Sequence, residues 1–312
     1  MRGKLIRIVV AASVFVVAGL ALSADEQGTW LSGEQVWKLK QSETVTAEIA
    51  RRETRVAEEL EGGSAPAWAG KYQRGDGLGV NVNVSLAPKG GFVFTWYGCL
   101  GRYDANYGAV TEKDGDLAFD FELPNSPASG PGIASAFVPV RWGDRQYLIA
   151  LDQAREFANA VNSGREPCKQ FCTEFLLREG DELVDATGRP EMPKDWARYL
   201  LAKPIEAAFV QVLETSVEPD THGSPDNPYA WRRTKIRIAA GRQQGVWEGM
   251  TFYDTSPEAR GIEYIVAAVG DHGATAVSTE LVTGLGEDDP VTLPAKLSTR
   301  MFNPMPIVRW SQ

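Results

Sequence analysis

Whatever chemistry this chain can do rests on three cysteines, two histidines and several paired carboxylates, and their spacing restricts it. Cys168 and Cys172 stand four apart, and on a helix their Cα atoms would lie about 6 Å from each other, within disulfide range. That pairing would leave Cys99, in Gly98-Cys99-Leu100-Gly101, buried and reduced. Alternatively Cys99 bonds one of the two and tethers the 164–174 segment, which closes a longer loop. At least one disulfide is expected, with its partners open. There is no redox Cys-x-x-Cys motif. His222 and His272 are too few for a three-histidine zinc site, and neither belongs to a His-Glu-x-x-His pattern. No Gly-x-Ser-x-Gly elbow supports a serine nucleophile.

Asp104 and Asn106 place oxygen donors at alternate positions, as a calcium loop does at its start. Counting from Asp104, the position that needs a glutamate is Gly115, so an Asx-type turn is the simpler reading. Asp114 with Asp116, and Asp120 with Glu122, are the spacing from which a carboxylate-dependent hydrolase could draw an acid and a base. Beside turns, such pairs are ordinarily solvated. Gly75-Asp76-Gly77-Leu78-Gly79 invites a phosphate-loop reading, but the sequence after it is strand-like and no helix N-terminus follows. No cofactor is implied. The aromatic residues Trp68, Tyr72, Phe94, Trp96 and Tyr103 could line a cleft for an apolar or sugar ligand, although core packing explains most of them.

The elements that must position these residues are mainly strands. Val80, Val82 and Val84 alternate with Asn81 and Asn83, and Phe92, Phe94 and Trp96 repeat the period of two. Pro88-Lys89-Gly90-Gly91 between them predicts an antiparallel hairpin, and Asp114-Gly115 and Gly143-Asp144 predict two more. Another is expected over 175–184. Helices are predicted over 44–60, where Val45, Ile49, Val56 and Leu60 share a face, and after an Asp152 N-cap, where Ala154, Phe157, Ala158 and Val161 do so. The first should lie across the sheet or act as a spacer, and the second should plug or cover it. A short helix near Pro193 carries Trp196 and Leu200. Beyond Ile205 several short strands, interrupted by glycine turns and a polar loop over 218–228, read as a small barrel.

The fold class is therefore mainly β with a few helices: an antiparallel curved sheet or barrel, followed by a small C-terminal β-barrel. We divide the chain into a leader over 1–24, a helical segment and linker over 25–65, a β-rich domain over 66–202, a small barrel over 204–297 and a tail over 298–312. Arg2, Lys4 and Arg7 precede an uncharged apolar run that ends in Ala21-Leu22-Ser23-Ala24, the pattern of a cleavable secretory signal. The run is shorter than the roughly 20 residues a spanning helix needs, so no stable membrane span is expected after cleavage. Removing the leader takes the formal charge from −9 to −12. So acidic a chain lacks the basic footprint that nucleic-acid binding requires.

One resemblance emerges from the C-terminal third. Gly241-x3-Gly245-Val246-x2-Gly249-Met250, then Ile262-x-Tyr264-Ile265-Val266 and Ala274-x-Ala276-Val277, is similar to small β-barrel modules of bacterial envelope proteins. These are of the rod-shape-determining MreC type and of flagellar assembly proteins. The match covers 235–294; those modules often carry Asn before the first glycine, where Ala240 stands here. The resemblance implies an envelope-side binding or assembly module without catalytic residues. Trp68-Ala69-Gly70-Lys71-Tyr72 also resembles the first strand of lipocalin-like barrels, which implies a carrier of a small apolar ligand. The expected function is that of a secreted or periplasmic, non-enzymatic binding protein, its partner an envelope protein or a small apolar ligand. A lipocalin-like carrier and a carboxylate hydrolase of envelope polymers stand as alternatives.

Overall fold

The computed structural model describes residues 32–75, 77, 79–125, 132–164, 175–219, 229–255, 262–283, 294 and 296–300. They build two closed antiparallel barrels. The first contains β1 (Gly70–Gly75), β2 (Val80–Ala87), β3 (Gly91–Gly98), β4 (Gly101–Lys113), β5 (Asp116–Phe121), β6 (Ala136–Trp142), β7 (Arg145–Ala150) and β8 (Leu176–Arg178). Each strand pairs with the next, and β8 closes the ring on β1 through Tyr72↔Arg178 and Gln73↔Leu177.

The period of two sends Val82, Val84, Leu86, Phe92, Phe94, Leu117, Phe119, Phe137 and Leu148 into one buried cluster. Phe92 stacks on Phe119 with centroids 4.3 Å apart, Phe119 meets Phe137 at 4.8 Å, and Phe121 stands edge-on to Phe92 at 5.4 Å. The predicted hairpins at Gly90-Gly91, Asp114-Gly115 and Gly143-Asp144 are all present. Two glycines let the sheet curve this tightly. Gly91 has φ +75°, and a Cβ on it would meet the Gly108 carbonyl oxygen at 2.1 Å; one on Gly108 would meet that of Asp120 at 1.8 Å.

Helices cover the outside of this barrel. α1 (Gly33–Lys40) carries a capping box between Ser32 and Gln35, and α2 (Glu43–Glu61) starts on the Ser42 hydroxyl. α1 escaped the sequence reading because its apolar stripe is short and its Trp37 and Leu39 stay exposed. α2 lies across the sheet, as expected: Val45 and Ile49 pack on Val93, Ala105 and Tyr107 of the outer face. α3 (Ala154–Asn162) covers the outer side of β6 and β7, where Phe157 meets Val138, Val140, Tyr147 and Ile149. Its N-cap is Gln153 rather than Asp152, because Asp152 falls inside a 3-10 turn spanning Leu151–Gln153.

The hairpin expected over 175–184 is corrected. Only Leu176–Arg178 is strand, since both its edges are taken by β7 and β1 in closing the barrel. The following carboxylates instead cap backbone amides: Asp181 accepts from the Gln146 N–H, and Glu182 from the Gly180 N–H.

α4 (Lys194–Ala197) leads to the second barrel. That barrel comprises β9 (Glu206–Pro219), β10 (Tyr229–Ile238), β11 (Thr251–Asp254), β12 (Glu263–Val269), β13 (Ala274–Thr283) and β14 (Lys296–Ser298), in the order β10-β13-β12-β11-β14-β9. β9 runs further than the sequence pattern suggests, because β10 pairs with it as far as Pro219. Ile236, Ile238, Met250, Phe252, Val266 and Leu297 fill one part of the interior. Arg232, Thr234 and Ser278 are buried at the other, where Arg232 reaches Glu280 at 3.2 Å. Nearby Tyr264 is pushed up to about 12 by burial, reinforced by the charges of Asp254 and Glu280.

The two barrels meet along α3. Asn159 donates to the Gly249 carbonyl at 2.8 Å and accepts from the Thr251 N–H at 3.1 Å. One turn further on, Asn162 donates to the Tyr199 carbonyl at 2.9 Å and accepts from the Leu201 N–H at 2.8 Å. The two asparagines thus satisfy backbone that the seam removes from neighbouring strands.

Candidate binding cleft

A cleft of about 460 Å³ opens at this seam. From the first barrel's side come Arg155 on α3, and Arg198 and Tyr199 just after α4; from the second come Arg242, Val246, Trp247 and Glu248. Tyr199 is anchored by Ala158 and Leu200 beneath it and meets Trp247 edge-to-face at 5.0 Å. The loop that presents Trp247 is held by a 3-10 turn at Arg242–Gln244 and by Gly245 at φ +86°. Over the Tyr199 ring lie two guanidinium groups, Arg155 at 5.2 Å and Arg198 at 4.9 Å from the centroid. Arg198 also donates to the Tyr199 hydroxyl, and Arg155 to the Glu248 carbonyl oxygen. Arg242 is ion-paired with Asp271 at 2.7 Å. On the other side of Arg155 a second recess of about 470 Å³ is acidic, with Asp152, Glu156 and Glu263.

The aromatic residues singled out from the sequence do not converge on a cleft. Trp68, Tyr72 and Phe94 are buried in the first barrel's core. Trp68 donates to Glu112 at 2.7 Å, and Tyr72 donates to the Trp68 carbonyl at 2.9 Å. Burial pushes the Tyr72 hydroxyl up to about 12. Trp96 and Tyr103 form an edge-to-face pair, centroids 5.8 Å apart. Tyr72 borders a polar pocket of about 220 Å³ with Lys71, Gln73, Asn83 and Glu179, and Phe94 a mouth pocket, a space of about 210 Å³ with Arg74, Val82, Ile133, Phe137 and Leu176. Burial there draws the Arg74 guanidinium down from its usual range.

Asp104 and Asn106 lie inside β4 rather than in an Asx turn. Asp104 is locked to Lys40 of α1 at 2.6 Å, both side chains almost wholly buried. Desolvation raises its carboxyl, and the Lys40 contact opposes that rise. Asn106 donates to the Leu123 carbonyl and accepts from the Leu123 and Tyr107 N–H groups, continuing a ladder where β5 has ended. Asp104 Oδ1 and the Asn106 amide are thus engaged structurally; among the described residues Asp104 Oδ2 is buried without a hydrogen-bond partner, and no cluster suited to a metal ion is found.

Cys99 occupies the two-residue turn between β3 and β4 and is exposed, not buried; Cys168, Cys172 and His222 lie outside the described residues. His272 is on an exposed turn. Gly75 and Gly79 join β1 to β2 with no helix after them, which removes the phosphate-loop reading. Of the paired carboxylates, Asp116 is raised by burial and by Asp195 and Asp114, while Glu122 is held by Arg52 at 2.7 Å. None of the four borders the clefts above.

Sequence reading missed Arg155, Arg198, Arg242 and Trp247 as a group, because they are scattered over two barrels and each alone resembles a solvated surface residue. The one available signal was a tryptophan inside a glycine-rich turn. No helix among the described residues is long and apolar enough to cross a membrane. No family model, curated protein or solved structure matches this chain.

Proposed function

We propose that this is an exported, non-enzymatic binding protein of the bacterial envelope, with the second barrel as its interaction module, of the MreC or flagellar-assembly kind. The observation that carries the reading is an exposed apolar patch on that barrel. Trp231 (43% exposed) and Leu281 (49%) are direct cross-strand partners on its outer face. On β10 the same face continues with Arg233, Lys235 and Arg237. Lys235 reaches Glu214 at 3.9 Å, whereas Arg233 and Arg237 meet no carboxylate among the described residues. Trp231 stands between Leu281 and Glu218 of the neighbouring strands, with Arg233 next along its own face. Tryptophan and arginine are enriched in binding hot spots, and the exposed arginines favour an acidic partner.

Replacing Trp231 and Leu281 together with serine should leave the fold intact, because both are exposed. Wild-type protein should co-sediment with the envelope fraction of the producing cell, and the variant should lose at least about tenfold of that retention, the size of a hot-spot loss. Equal retention would overturn the reading. Export predicts a mature N-terminus after Ser23 or Ala24, read by N-terminal sequencing.

A second reading, the lipocalin-like carrier, draws support from the eight-stranded barrel and its mouth pocket. At about 210 Å³ that pocket is smaller than the roughly 300 Å³ at which ligand pockets begin, and stacked phenylalanines fill the space below it.

A further inference from the structure

Away from the Trp231 face, the seam cleft combines three features that a purely structural joint does not require. The first is a pair of arginines that no carboxylate contacts among the described residues, with Glu248 lining the cleft and Asp152, Glu156 and Glu263 the recess behind Arg155. The guanidinium groups of Arg155 and Arg198 both lie over one ring and so stand within about 10 Å of each other. Among the described residues neither has a carboxylate partner, and their hydrogen bonds go to a carbonyl and a phenol. Two like charges held that close repel unless an anion lies between them. Arg242, paired with Asp271, adds no net charge, and Glu248 offsets one of the two remaining cations.

The second feature is the aromatic floor. Tyr199 is buried and meets the half-buried Trp247 at 5.0 Å and interplanar angle 72°, so Trp247 is the ring that the cleft offers to a flat or apolar body. The third is size: about 460 Å³ lies inside the range of small-ligand pockets. Guanidinium groups present paired N–H donors that match the two oxygens of a carboxylate or the three of a phosphate. Oxygen-rich neutral ligands would not neutralise the arginines, and a cation would be repelled.

We infer that the seam cleft binds a small organic anion, its carboxylate or phosphate held by Arg155 and Arg198 and its apolar or ring-bearing body on Trp247. Because the cleft takes residues from both barrels, the bound anion also fixes one barrel against the other. Binding therefore stabilises the joint by linkage.

Isothermal titration of the full mature chain with phenyl phosphate, phenylacetate, inorganic phosphate and phenol tests this, with tryptophan fluorescence as a second readout. At least one of the two ring-bearing anions should bind about tenfold or more tightly than phenol and inorganic phosphate. Preference for phenyl phosphate would identify a phosphoryl group, and preference for phenylacetate a carboxylate. Arg155→Gln with Arg198→Gln, both exposed, should weaken that binding about tenfold or more, and Arg198→Lys should weaken it less. A Trp247→Phe variant should lose most of the fluorescence change but keep the heat. Failure of both ring-bearing anions to bind, phenol binding as tightly as they do, or a double variant equal to wild type would overturn the inference. Each outcome is independent of Trp231 and Leu281, which lie on a different surface.

Discussion

The two barrels solve the same closure problem and then diverge in what they do with their outer faces. The first fills its interior with phenylalanine rings, lays α2 and α3 across its outside, and joins α1 to β4 through the Lys40–Asp104 pair. The second keeps Arg232, Thr234 and Ser278 inside and leaves Trp231, Ile265 and Leu281 about half exposed outside. Apolar side chains stay exposed on both, but those of the first, such as Val80, Tyr97, Leu100 and Leu183, lie at strand ends and in loops, whereas Trp231 and Leu281 of the second are paired across neighbouring strands. Burying one large side chain is worth roughly 1.5–3 kcal/mol, so a bare tryptophan–leucine pair is an unspent driving force for association. On the function proposed above, recognition would fall to the second barrel, and the arginine cleft lies where the two meet.

That contrast can be broken or sharpened by substitution. Phe92→Ala removes the middle of the ring stack and should cost about 4 kcal/mol, measured by denaturant unfolding. A cost below about 1 kcal/mol would mean that the first barrel's interior is not its main source of stability. Lys40→Met leaves Asp104 buried without its cation and should cost about 3 kcal/mol at neutral pH. Burial already raises the Asp104 carboxyl, so its ionised form is the one the fold disfavours. The penalty should therefore be full above the folded-state titration of Asp104 and shrink as acid protonates it. Lys40→Met with Asp104→Leu should recover most of the loss.

Gly90→Ala drives a Cβ to 2.8 Å from the Val56 side chain and should lift α2 off the barrel, at about 1.5 kcal/mol. Increased amide exchange along α2 would show it. Glu48, hydrogen-bonded by Arg51 and then Arg52, is held down to about 2 from 4.5. Its contribution is present above about 4.5 and lost as pH falls toward 2. Being partly exposed, it should supply less than about 1 kcal/mol, and Glu48→Gln should remove that pH dependence. Trp231→Ser should change stability least, by under about 0.5 kcal/mol, and on the proposed function should still weaken envelope retention. A large destabilisation there would erase the distinction between the barrels.

Much of the first barrel could be read from local pattern. Val80 to Val84 and Phe92 to Trp96 announce a period of two, and the glycines at 90, 91, 115 and 143 announce the turns, because both signals depend on neighbours in the chain. The same logic failed at 175–184, where closure onto β1 took the edge that a local hairpin would have used. It could not place Trp68, Tyr72 and Phe94, since an aromatic residue on a strand looks the same whether it lines a cleft or fills a core. Arg155, Arg198, Arg242 and Trp247 carry no common spacing at all.

What the sequence determined by itself was the class of the fold, the curvature of its strands and the helical face that α2 would bury, all consequences of alternation and propensity within a few residues. Which faces remained uncovered, which carboxylate found Lys40, and that two arginines would share one tyrosine were decided only by the tertiary structure. Those outcomes depend on distances between residues far apart in the chain, and closing a barrel sets such distances through all its strands at once.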